Sequence, residues 1–224
     1  MTPGDKFCYD TAMNAPIPSS PAARTSWTAQ TVGMGPEILD RMERAVAKVR
    51  ERLERATAAL NQAGVPYAVV GGHAVASWVA TIDEGAVRNT RDVDILIRRS
   101  DLPAITSALE QAGFVHDELL DVVMFRDGPQ GKPSEAVHLL FAGEATRSDH
   151  LLPAPEIETV ERAGNIRVIT LDSLVLMKLM SNRDKDRTHL RDLIGVGLID
   201  RAWLSKFPPG LSDRLKAILD TPDA

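Results

Sequence analysis

From Pro36 to Gln62 apolar residues recur at helical spacing. They are Ile38, Leu39, Met42, Val46, Val49, Leu53 and Leu60, with Arg and Glu between them. The stripe predicts one long amphipathic helix, with Pro36 in its first turn and Gly64 as its stop. The period then changes. Pro66 to Val70 is a short apolar run that predicts a buried strand. Gly71-Gly72 predicts a turn, and His73 to Val79 a helix. Residues 81–90 are polar and predict a loop. Val93 to Ile97 predict a second strand, with Asp92 at its entrance.

Leu102 to Ala112 predict a helix closed by Gly113. Strands follow at Phe114-Val115, Asp121 to Phe125 and Ala136 to Phe141, the last two joined as a hairpin through Gly128-Pro129-Gln130-Gly131. A second hairpin is predicted from Ile157 to Arg162 and Ile166 to Thr170, around Gly164-Asn165. Leu171 to Asn182 predicts a helix capped by Asp172, Asp184 to Leu193 another, and Leu211 to Leu219 one or two short ones. The alternation predicts an α/β (α+β) fold, a mixed β-sheet with flanking helices and a helical C-terminal part. Before Pro36 no period is sustained, and Pro16, Pro18 and Pro21 interrupt the chain. Residues 1–33 therefore read as a disordered extension, 34–155 as the core, and 156–224 as a β-hairpin and helical part packed on it.

Composition narrows this picture in three places. Aromatics are only 4% of 224 residues, so the core rests on Leu, Val, Ile, Ala and Met. A net charge of -5 argues against broad electrostatic binding to a nucleic-acid backbone. The single cysteine, Cys8, excludes an internal disulfide and a Cys-rich zinc site. No apolar run approaches a membrane span, and the N-terminus has no signal-peptide core. The expectation is a soluble cytoplasmic protein with no membrane partner.

The chemistry concentrates in Arg88-Asn89-Thr90-Arg91-Asp92-Val93-Asp94-Ile95-Leu96-Ile97. Residues two apart in a strand share one face, ~6.6 Å apart. Asp94 stands among apolar residues, where an unpaired carboxylate is costly and a cation removes the cost. Gly71 and Gly72 let the backbone approach a phosphate and open a helix whose N–H groups favour anions. Two carboxylates beside such a turn suit Mg²⁺ bound to a nucleotide. His73, at the start of that helix, can touch phosphate or can serve as a capping or packing residue. Further on, Lys178 lies in the otherwise apolar run Leu174 to Met180, followed by the charged stretch Arg183 to Asp192. His189 and Asp192 share one helix face there, while Arg187 and Arg191 read as solvated, ion-paired residues.

The order of apolar strand, Gly-Gly, helix, Arg88-x-Thr90-x-Asp92-x-Asp94 resembles the nucleotidyltransferase superfamily. That is the polymerase-beta-like fold, in the branch of minimal nucleotidyltransferases and abortive-infection toxins. The resemblance implies that Asp92 and Asp94 bind Mg²⁺, with Mn²⁺ as a substitute. It also implies that Gly71 and Gly72 line the triphosphate, with Arg88 and Thr90 part of the same motif. A third acid is expected on a neighbouring strand. Val137-His138-Leu139-Leu140-Phe141-Ala142 matches that strand, with His138 in the acid's place and Glu135 nearby. An imidazole can ligate a metal or accept a proton, yet Mg²⁺ prefers oxygen ligands. The segment from Leu174 resembles the Lys…Arg…Lys-Asp…Asp signature of the toxin-like branch. It implies Lys178 near the nucleotide phosphates, Arg183 and Lys185 beside it, and Asp186 as part of the site.

The resulting expectation is a Mg²⁺-dependent nucleotidyltransferase. It would move a nucleoside monophosphate from a nucleoside triphosphate to an acceptor hydroxyl on RNA, a protein or a small molecule. The alternative is a catalytically degenerate nucleotide-binding module, or a toxin–antitoxin-type module that meets an antitoxin-like protein partner.

Overall fold

The computed structural model describes residues 35–120, 122–145 and 150–221. The expected N-terminal extension, Cys8 and Asp121 lie outside the described residues. Helix α1 spans Pro36–Gln62, and Gly64 ends it at a φ of 66°. Its expected apolar stripe is buried only in its C-terminal half. Leu60 is fully buried and Leu53 half-buried against the core, whereas Ile38, Leu39, Met42 and Val46 are exposed. A helix of this length runs for ~40 Å and so outreaches the strands beneath it.

Seven strands form one mixed sheet: β1 (Ala68–Val70), β2 (Val93–Ile97), β3 (Val115–Leu119), β4 (Val122–Arg126), β5 (Val137–Phe141), β6 (Thr159–Arg162) and β7 (Ile166–Ile169). Their order is β3-β4-β5-β2-β1-β7-β6. β2 runs antiparallel to β1 and parallel to β5, at the sheet's centre. Val93, Ile95, Leu96 and Ile97 are all fully buried, as befits a central strand covered on both faces. The β6–β7 hairpin extends the sheet by parallel pairing of β7 with β1, Val69 against Val168.

The helices flank this sheet in two groups. α1 packs with α3 (Leu102–Gln111). α2 (Gly71–Val79), α4 (Leu171–Ser181), α5 (Asp184–Gly195) and α6 (Pro209–Asp220) pack with one another. Residues from Pro36 onward form one compact unit. No described helix is long and apolar enough to cross a membrane.

Two local expectations are corrected. Gly71 and Gly72 do not form a separate turn; they are the first residues of α2, with Gly71 at a φ of 67°. The chain can therefore pass from β1 into a helix without a linker, because glycine tolerates that left-handed φ. Asp172 is not the cap of α4. The N-cap is Thr170, and Asp172 lies inside the first turn, paired with Lys206 at 2.6 Å. A carboxylate there still favours the helix N-terminus through its dipole.

Candidate active site

Asp94 opposes Val70 in the β1–β2 ladder and His138 in the β2–β5 ladder. This register places the carboxylate between the start of α2 and the imidazole. A Cβ on Gly71 would overlap Asp94 Oδ2 and lie 2.8 Å from Asp94 Cγ. A Cβ on Gly72 would lie 2.8 Å from the Cβ of Thr90. Both glycines are thus required by close packing against the acidic motif.

The loop before β2 carries the second carboxylate. Thr90 Oγ1 donates to Asp92 Oδ1 at 2.7 Å, and Lys185 Nζ, from α5, lies 3.3 Å from the same oxygen. His138 Nδ1 is 3.9 Å from Asp94 Oδ1. One ligand atom from each of Asp92, Asp94 and His138 falls within 4.8 Å of the others. The two carboxylates are driven apart in acidity. Burial opposes ionisation of Asp92, but the Thr90 hydroxyl and Lys185 overcome it and hold the pKa down at about 2. Burial, and then the charge of Asp92, push Asp94 up. A bound cation would relieve that cost, so the donor set and the glycine cradle fit a divalent ion.

His73 stands on the first turn of α2. Burial, aided by Arg52 and Lys185 and opposed by Asp92, lowers its pKa to about 4, so it is neutral at pH 7. Its Nε2 is buried without a hydrogen-bond partner among the described residues.

Across the cleft, α4 and α5 meet at a buried ion triad. Lys178 Nζ is 2.9 Å from Asp186 Oδ1, and Arg183 Nε is 2.8 Å from Asp186 Oδ2. Asp186 is 1% exposed and also accepts from the backbone N–H of Arg183, capping α5. Burial opposes its charge, but Arg183 and Lys178 hold its pKa well below the usual carboxylate range. With one carboxylate and two cations, the triad keeps one net positive charge. Lys178, Arg183 and Asp186 line the same cleft as Gly71, Asp94 and His138, with a volume of about 610 Å³. At its far end Arg99 stacks 3.6 Å over Phe141 and forks onto Glu144.

The structure therefore gathers Gly71, Gly72, His73, Thr90, Asp92, Asp94, His138 and Lys185 around the acidic motif, with Lys178, Arg183 and Asp186 facing it. Arg88 does not join them. Its Nε bonds Asp192 Oδ1 at 2.8 Å, tying the loop before β2 to α5. Glu135 is also elsewhere, 4.0 Å from Arg52 Nη2. Arg52 is the residue that sequence reasoning missed. It is 3% exposed, and it donates to the Arg91 carbonyl at 3.2 Å and to Asp127 at 3.3 Å, bracing the backbone just before Asp92. Its signal was its place on the buried face of α1, one turn before Ala56.

Comparison with one solved structure agrees with this architecture. The solution structure of the antibiotic-resistance factor ANT(2'')-Ia is similar at a TM-score of 0.51 and 14% identity, covering 79% of this chain and 91% of that one. Its likeness concerns the fold. The crystal structure of ANT(2'')-Ia in complex with adenylyl-2''-tobramycin aligns at a TM-score of 0.44 and 16% identity, over 80% and 99% of the two chains. An antigenic nucleotidyltransferase-like protein from Paracoccidioides brasiliensis aligns at 0.40 and 16%, over 76% and 87%. No curated protein matches the chain. The family described as uncharacterised nucleotidyltransferase matches residues 36–152, more than half of the sequence. By that match, the chain belongs to this family of nucleotidyltransferases.

Proposed function

We propose that the protein is a divalent-metal-dependent enzyme that transfers a nucleoside monophosphate from a nucleoside triphosphate to an acceptor hydroxyl. The observation that carries this reading is the convergence of Asp92, Asp94 and His138 within 4.8 Å beside the glycine start of α2. Asp92, Asp94 and His138 would hold the ion. When bound, it supplies charge neutralisation for the triphosphate.

The chain's own groups position the rest. The free N–H groups of the first turn of α2 would face a phosphate, while Gly71 and Gly72 make room for the Asp94 and Thr90 side chains beside it. Lys178 and Arg183, with the net positive charge of their triad, offset charge on the departing pyrophosphate. Neutral His73 adds a polar nitrogen beside the same helix start without adding charge. The acceptor oxygen bonds to the α-phosphorus as the bond from that phosphorus to the bridging oxygen breaks. Pyrophosphate leaves, and the acceptor's proton is lost to solvent.

The test is label transfer in a cell extract containing RNA, proteins and small molecules. Each nucleoside triphosphate is supplied labelled at either the α- or the γ-phosphate, with Mg²⁺ or Mn²⁺. The α-label should appear on an acceptor and the γ-label should not. Transfer of the γ-label alone, or of neither, would overturn the proposal.

A further inference from the structure

His138 brings a nitrogen donor to a cluster whose other two members offer carboxylate oxygens. In the parallel β2–β5 pair, His138 directly opposes Asp94, and both residues face the cleft. The 3.9 Å between Nδ1 and Oδ1 is too long for a hydrogen bond. The two groups are therefore not donor and acceptor, and with Asp92 they form a cluster whose ligand atoms lie within 4.8 Å of one another.

Among the described residues, no carboxylate beside His138 restores an all-oxygen set. On its β4 side the register partner is Met124. Asp117, the next residue across the sheet, is held by Arg126 at 2.9 Å. Glu135 lies near Arg52. Two carboxylates and one imidazole remain. Mg²⁺ is a hard ion that prefers oxygen and sheds water reluctantly, whereas imidazole suits first-row transition ions.

Resting on the metal reading above, we propose that this centre is a mixed nitrogen–oxygen site that selects first-row transition dications over Mg²⁺, with His138 Nδ1 as the selecting ligand. The probe ion is Mn²⁺, which is paramagnetic and accepts both oxygen and nitrogen.

The experiment titrates the full chain with Mn²⁺ and with Mg²⁺, in the presence of a triphosphate analogue that cannot be cleaved. Bound Mn²⁺ is examined by electron spin-echo spectroscopy. The parent should bind Mn²⁺ at least ~10-fold more tightly than Mg²⁺ and show nitrogen modulation from one imidazole. Labelling histidine with nitrogen-15 should alter that modulation in the parent itself, without any substitution. His138→Asp should remove the modulation and bring the two affinities together. Mn²⁺ bound without nitrogen modulation would overturn the inference, as would an Mn²⁺-to-Mg²⁺ ratio unchanged in His138→Asp. Binding of neither ion would instead overturn the metal reading itself.

Discussion

Gly71 and Asp94 occupy a space with room for only one side chain: a Cβ on Gly71 would overlap the Asp94 carboxylate. Gly71 also takes a left-handed φ of 67°. Gly71→Ala therefore meets strain and a clash together, at a cost of about 1–3 kcal/mol. The carboxylate, as the movable partner, should be displaced. Calorimetry should show triphosphate affinity reduced at least ~10-fold in a variant that still unfolds cooperatively. Parent-like affinity would mean that Asp94 is free to move without consequence.

The buried pair of Lys178 and Asp186 is asymmetric, because Arg183 also holds Asp186. Lys178→Met leaves the carboxylate with a partner and should cost about 1–3 kcal/mol. Asp186→Asn leaves a buried ammonium without its counter-ion and should cost about 3–5 kcal/mol. Urea unfolding of both variants measures the difference. Lys178→Met should in addition weaken triphosphate binding. If Lys178→Met proves the more destabilising, Arg183 does not compensate as described.

His189 is buried, and burial, joined by Lys178 and Lys185, lowers its pKa to about 4. Its unfolded value is near ~6.5, so the unfolded chain binds the extra proton first. Stability contributed by the neutral ring is complete above that value and is lost as pH falls toward 4. The full loss is about 3 kcal/mol. His73 adds in the same window and direction. His189→Gln should therefore flatten the fall in stability between pH 6.5 and 4 relative to the parent, measured by unfolding at each pH. Identical slopes would place the acid sensitivity elsewhere.

Features that repeat within one segment were legible in the amino-acid order. The spacing of Asp92 and Asp94, the helical period from Pro36, and the lone cation Lys178 in an apolar helix each follow from local periodicity. Features that depend on where two segments meet were not. Arg88 pairs with Asp192, 104 positions away, so its motif membership concealed a latching role. Arg52 lies on the apolar side of α1, but its partner, the Arg91 carbonyl, is known only once α1 is laid against that backbone. The exposure of Met42 and Val46 depends on where the sheet stops beneath α1, which their spacing does not encode. His138 was visible as a departure, but its distance from Asp94 required the β2–β5 register.

The central claim is that Asp92 and Asp94 hold a divalent ion on a nucleoside triphosphate. Its most direct test is calorimetry of an uncleavable triphosphate with Mn²⁺ or Mg²⁺, comparing the parent with Asp92→Asn and Asp94→Asn. Removing the Asp94 charge relieves its burial and its repulsion with Asp92, so ion-free Asp94→Asn should be at least as stable as the parent, whereas Asp92→Asn gives up the contacts with Thr90 and Lys185. The account predicts ion-dependent binding by the parent and its loss, at least ~10-fold, in both folded variants. Triphosphate binding that ignores the ion, or survives unchanged in both variants, would contradict it.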